Sequence, residues 1–136
     1  MYLLDTNVVS DFFRSTEPVS SKMRQLNAKS MAISSLTRME IEFGFERNPA
    51  ARRRFGALWI QFAGNCREIP FDAPCANATG RIRAQLAAIG QPIGPYDVQI
   101  AGTALAHGLV MVTANTAEFE RVTLMRLENW RNPVNL

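Results

Sequence analysis

Asp5, Glu40, Asp97 and Glu118 are the residues of this chain best set to do chemistry. Each has its own short setting. Asp5 closes the apolar stretch Tyr2-Leu3-Leu4, and Glu40 lies within Thr37-Arg38-Met39-Glu40-Ile41-Glu42-Phe43-Gly44. Asp97 follows a glycine-proline loop and opens an apolar stretch, and Glu118 falls near the end of Thr113-Ala114-Asn115-Thr116-Ala117-Glu118-Phe119. Carboxylates brought together repel one another and lose hydration, so a fold normally tolerates the arrangement only with a cation. Hard cations that prefer oxygen ligands, Mg²⁺ or Mn²⁺, suit such a set. Convergence of the four would make a metal-dependent phosphodiesterase site.

Each acid also has a purely structural reading. Asp5 and Asp97 suit helix N-caps, and Thr37-x-x-Glu40 and Asn115-x-x-Glu118 fit capping boxes. Among the other acids, Asp11 is a weaker ligand candidate and Asp72 reads as the cap of the helix after it. Glu42 and Glu46 read as solvated partners of Arg38 at helical spacing. Cys66 and Cys75 show no metal-ligand spacing, and with His107 as the lone histidine they do not make a zinc site of the usual kind. They read as free thiols in a reducing cytoplasm. His107, before Gly108 near a helix end, suits the helix dipole. A single histidine suggests no Ser-His-Asp arrangement, and neither common phosphate-loop motif occurs.

The elements that must position these residues alternate. Tyr2–Leu4, Met31–Ile33, Arg67–Ile69 and Leu109–Val112 read as strands, with a possible fifth at Met125–Leu127. Helices are expected from Asp5 through Phe13, after Glu17-Pro18 with Val19, Met23 and Leu26 on one face, and from about Ser34 to Arg47. Three more are expected from Pro49 to about Ala63, from Ala73 to Ile89, and from an Asp97 cap onward. Short apolar runs alternating with helices imply an α/β fold with a parallel sheet covered on both faces. Ligands in such sheets gather at the carboxyl ends of strands. Asp5 and the Thr113-x-Asn115 segment follow strands directly.

At 136 residues the chain is read as one domain over residues 1–136. Its longest apolar runs are far short of a membrane span, and no signal peptide is read at the N-terminus. The net charge is +3; setting aside the four candidate acids leaves 15 basic residues against 8 acidic, or +7. That balance modestly favours an anionic partner, nucleic acid or an acidic protein. The Arg52-Arg53-Arg54 run reads as a solvated helix face, with RNA contact the alternative.

Leu4-Asp5-Thr6-Asn7-Val8, Met39-Glu40-Ile41-Glu42-Phe43-Gly44, Ile93-Gly94-Pro95-Tyr96-Asp97-Val98-Gln99-Ile100-Ala101 and Val112-Thr113-Ala114-Asn115-Thr116-Ala117-Glu118-Phe119 together resemble the ordered motifs of PIN-domain ribonucleases. Leu127-Glu128-Asn129-Trp130 is similar to that family's usual ending. The size and motif set resemble a VapC-type toxin of a toxin–antitoxin pair.

The resemblance implies a three-layer α/β/α sandwich around a parallel sheet of four to five strands. It also implies Mg²⁺- or Mn²⁺-dependent RNA cleavage in the cytoplasm, a cognate antitoxin, and a homodimer that reaches higher order with that antitoxin. Asp5, Glu40 and Asp97 match the core metal carboxylates, with Glu40 direct or through water. Glu118 matches a fourth acidic position that holds Asp in many relatives, and its longer side chain suggests a water-mediated role. Thr6 and Asn7 match the strand-end turn, and Thr113 and Asn115 match polar positions that support the site. Arg14, Arg38, Arg81, Arg83 and Arg121 are candidates to contact phosphate. A structure-specific DNA nuclease and a catalytically silent PIN module binding RNA or protein are the competing readings.

Overall fold

The strands are short, and the central ones are apolar because helices cover both faces of the sheet, while the two edge strands carry charged residues. The computed structural model describes residues 1–132. The strands are β1 (Tyr2–Leu4), β2 (Met31–Ser34), β3 (Arg67–Ile69), β4 (Val110–Val112) and β5 (Leu127–Glu128). The helices are α1 (Thr6–Phe13), α2 (Val19–Gln25), α3 (Ser35–Arg47), α4 (Pro49–Asn65), α5 (Ala73–Ala88), α6 (Pro95–Ala106) and α7 (Thr116–Phe119). The fifth strand lies slightly later in the chain than the sequence suggests, at Leu127–Glu128.

All strands run parallel in the order β3-β2-β1-β4-β5. From β1 the chain winds outward through β2 to β3, then crosses to the other side of β1 for β4 and β5. The strand order therefore reverses between β1 and β4, the kind of crevice where doubly wound sheets bind ligands. Tyr2, Leu3 and Leu4 pair with Val110, Met111 and Val112, which brings the residues after both strands side by side.

Side chains along each strand alternate between two cores, as the period of two requires. Leu4, Met31, Ile33 and Val112 pack with α1 to α4, where Phe13, Met23, Phe45, Trp59 and Phe62 fill the layer. Leu3, Ala32 and Met111 face the opposite way onto Ile82 and Leu86 of α5, Ala101 of α6 and Phe119 of α7. Val19, Met23, Trp59 and Phe62 are core residues, and Leu26 and Leu58 pack against them partly buried. Trp130 is buried as well, edge-on to Tyr2 at 5.1 Å between ring centroids.

Helices α5 and α6 pack closely because Gly102 has no side chain. A Cβ there would lie 1.9 Å from Thr79 Oγ1 and 3.0 Å from the Cys75 carbonyl oxygen. Among the described residues, no helix is long and apolar enough to cross a membrane.

Candidate active site

Asp5 follows β1 and caps α1, its Oδ1 accepting from the Thr6 backbone N–H at 2.8 Å. Its Oδ2 accepts from Thr113 Oγ1 at 2.8 Å and from Asn7 Nδ2 at 3.2 Å. Thr113 follows β4, so this contact crosses the reversal point of the sheet. The Thr113 hydroxyl also accepts from Asn7 Nδ2 at 3.2 Å and from the Asn115 backbone N–H at 3.0 Å. Asn7 Oδ1 in turn accepts from the Ala114 N–H at 3.0 Å. Asp5 and Thr113 are both buried. Burial raises the Asp5 carboxyl, and the donors from Thr113, Thr6 and Asn7 work against that rise.

Glu40 arrives from α3. The capping box expected of Thr37-x-x-Glu40 does not form, because Ser34, three residues earlier at the end of β2, caps the helix by accepting from the Thr37 N–H at 3.1 Å. Glu40 is thereby released from capping, and its Oε1 accepts from Thr6 Oγ1 at 2.6 Å.

Asp97 is not the cap of α6, as the sequence suggested. Pro95 opens the helix with Gly94 as cap, so Asp97 sits inside the first turn. A proline at that position costs no hydrogen bond and presets the backbone, which explains the earlier start. Gly94 leaves room for the Asp97 carboxylate, since a Cβ on Gly94 would lie 3.2 Å from Asp97 Oδ2.

Glu118 lies in α7. Asn115 caps that helix without a side-chain bond to its backbone; its amide instead donates to Glu118 Oε2. The Asn115 amide, the Gly94 N–H and a hydrogen bond shared with Asp97 hold the Glu118 carboxyl below the usual range.

The electrostatics of Asp97 tie the four acids together. Its carboxyl is pushed up to about 7, first by burial, then by the charges of Asp5 and Glu118, a hydrogen bond with Glu118, and the charge of Glu40. At neutral pH the cluster therefore lacks positive charge, and a bound cation or a retained proton supplies it. An all-oxygen donor set fits Mg²⁺ or Mn²⁺. The spacing is open. Among the described residues, the three-residue group whose ligand atoms all lie within 4.8 Å of one another is Asp72, Cys75 and His107 rather than any three of these acids. That openness suits an ion that keeps much of its water.

Several side chains serve elsewhere. Asp11, the weaker candidate, is held by Arg131 through Nε and a second guanidinium nitrogen at 2.6 and 3.0 Å. Arg38 does not pair along its own helix with Glu42 and Glu46. It reaches Glu68 of β3 at 2.6 Å, while Glu42 accepts from Trp59 Nε1 at 2.9 Å and from Arg52, and Glu46 pairs with Arg52 at 2.9 Å. Arg121 donates to the Pro92 carbonyl at 3.1 Å, and Arg81 and Arg83 are exposed on α5. Arg14 borders the site, sharing a cavity of about 200 Å³ with Thr6, Ser10, Glu40, Gly44 and Phe45.

An acidic pocket at the reversal point of a doubly wound parallel sheet defines the class to which this fold belongs. A family model for the PIN domain matches residues 2–124. The chain is 42% identical over 130 residues to the tRNA(fMet)-specific endonuclease VapC of Shigella flexneri, covering 95% of this chain and 97% of that protein. It is 35% identical to ribonuclease VapC2 of Haemophilus influenzae, covering 95% and 97%. Among solved structures, a DNA-bound VapBC from Salmonella typhimurium superposes with a TM-score of 0.86 at 40% identity, covering 95% of this chain and 97% of that one. The chain belongs to the PIN-domain family and, within it, to the VapC group.

Proposed function

We propose that this protein is a metal-dependent endoribonuclease and the toxin of a type II toxin–antitoxin pair, built as one PIN-like domain over residues 1–136. The observation that carries the reading is Asp97, half-buried beside three other carboxylates and pushed up to about 7. A fold that keeps four acids in mutual repulsion at the reversal point of its sheet holds them there for a cation. Kinship with proteins named as VapC ribonucleases over nearly the whole chain supports RNA as the substrate. Initiator tRNA is the first RNA to test, since relatives from Shigella flexneri and Salmonella typhimurium are named for it.

Asp5, Asp97 and Glu40 would hold Mg²⁺ or Mn²⁺, with Glu118 acting through water. When bound, the ion supplies an activated water and neutralises charge that builds on the phosphate and the leaving oxygen. The chain's own residues set the geometry. Thr113 and Asn7 aim Asp5 Oδ2, Thr6 fixes Glu40, and Asn115 fixes Glu118. Arg14, beside Glu40, suits a phosphate lying across the pocket.

The partner in this reading is an antitoxin that binds over the acidic pocket, in keeping with relatives solved as VapBC complexes. A homodimer completes the assembly, closed two-fold pairing being the commonest oligomeric form. The test is expression of the chain alone and with its neighbouring open reading frame, together with cleavage of purified tRNA in Mg²⁺ or Mn²⁺. Growth arrest relieved by the neighbour, with tRNA cut by wild type and spared by Asp97→Asn, is the expected result. Unimpaired growth and intact RNA under both metals would refute the reading.

A further inference from the structure

A second constellation lies at the far end of α6 from the acidic pocket. Asp72 is the N-cap of α5, Cys75 lies in the first turn of that helix, and His107 is the C-cap of α6. One ligand atom from each lies within 4.8 Å of the other two. His107 Nε2 stands 4.0 Å from Asp72 Oδ1. We propose that Asp72, Cys75 and His107 form a second metal site, built for Zn²⁺, that clamps the start of α5 to the end of α6.

The donor set argues for zinc over the hard ions suited to the four acids. One thiolate, one imidazole and one carboxylate, with water in the fourth position, is a borderline-soft tetrahedral set. Around a tetrahedral Zn²⁺ such ligand atoms sit roughly 3.5 Å apart. The present spacing thus needs only a small contraction, and the partly exposed side chains of Asp72 and His107, at 42% and 33%, are free to make it. The Cys75 thiol is the buried floor and the other two ligands are the open rim.

Helix capping explains only part of this arrangement. A cap requires the bond from the Cys75 N–H to Asp72 Oδ1, present at 3.3 Å. It does not require the Cys75 thiol and the His107 imidazole to gather at the same carboxylate. Burial and the Asp72 carboxylate raise the Cys75 thiol, so without metal it keeps its proton, which it directs at the Pro70 carbonyl at 3.7 Å. Binding releases that proton to water, and thiolate and carboxylate then balance the 2+ charge beside a neutral imidazole.

The scaffold is rigid where the site needs it. The close approach at Gly102 locks α6 against α5 beside Thr79 and Cys75, and Gly108, at φ +63°, turns the chain immediately after His107. Asp97 and His107 are ten residues apart on α6, about 15 Å along its axis. The two sites therefore load independently, and this proposal does not depend on the ribonuclease reading.

Metal-stripped full-length protein titrated with Co²⁺ tests the site, because a thiolate–cobalt charge-transfer band reports sulfur ligation and carboxylates alone give none. The expected result is one equivalent per chain, displaced by Zn²⁺ and not by Mg²⁺. The band is kept in Cys66→Ser and lost in Cys75→Ser. His107→Gln and Asp72→Asn alter exposed side chains, and asparagine still caps a helix. Both should fold, weaken Zn²⁺ binding at least tenfold, and lose the rise in melting temperature that Zn²⁺ gives wild type. A wild-type protein without the band in excess Co²⁺, a band surviving Cys75→Ser, or His107→Gln binding Zn²⁺ within twofold of wild type would overturn the proposal.

Discussion

The Thr6 hydroxyl donates to Glu40 across 34 residues of chain, at 2.6 Å, and joins the first turn of α1 to α3. It is the one side-chain bond recorded for the Glu40 carboxylate among the described residues, so it fixes how that group faces the pocket. Thr6→Val is expected to lower RNA cleavage about tenfold, in the range typical of residues that orient metal ligands. Thr6→Ser keeps the donor and should retain most activity. Steady-state cleavage with metal titrated for each variant checks this.

Asp97 supplies a pH signature. A carboxyl raised to about 7 in the folded protein binds its proton more tightly than the unfolded chain, whose value is near 3.8. Metal-free stability should therefore fall as pH rises through that window and level off above it. Asp97→Asn removes the penalty. Its metal-free melting temperature should match wild type near pH 4 and exceed it by a growing margin up to pH 8. Thermal melts in a chelating buffer across that range measure the difference, and a constant or shrinking gap would contradict the charge crowding.

Thr113 is the donor that most opposes the rise in the Asp5 carboxyl. Thr113→Val removes the shorter of the two side-chain bonds to the buried Asp5 Oδ2 and leaves the Asn115 N–H without its acceptor. The expected loss is about 1–3 kcal/mol in chemical denaturation. Cleavage should also need a higher pH in the variant, because Asp5 would ionise later. Thr113→Ser should restore both.

Gly102→Ala tests the helix contact beneath the second site. The new methyl would meet Thr79 Oγ1 and two backbone-linked atoms of α5 at 3.0 Å or less. Rotation of Thr79 relieves only the first contact. A destabilisation of roughly 1–3 kcal/mol is expected, read by urea unfolding, and Gly102→Ala/Thr79→Ala should recover only part of it.

Local signals carried much of the architecture. Tyr2-Leu3-Leu4 followed by Asp5, Asn48-Pro49, and Asp72 before a helix each contain their own start or stop, and each appears as read. Departures arose where two local signals competed or where a distant partner decided. Pro95 outcompeted Asp97 for the start of α6, whereas the α3 cap falls at Ser34 as the sequence allowed, which leaves the Thr37 capping box unformed. Arg38 found Glu68 on a neighbouring strand, which helical spacing does not reveal. The gathering of Asp72, Cys75 and His107 depends on how α5 packs on α6, so their spacing in the chain gave no hint of it. Glu40 and Asp97 had equally good capping readings, and the ordered motifs rather than any single residue set them apart.

The pairing of β1 with β4 also sets when in its synthesis the protein becomes dangerous. Asp5 leaves the ribosome 108 residues before the Thr113 that aims it, and the Glu118 that completes the acidic set follows later still. A partly translated chain can form α1 to α4 and still lack both. Under the nuclease reading, a ribosome that stalls or aborts before β4 releases a harmless fragment. The cell meets an armed protein only once Glu118 has been made.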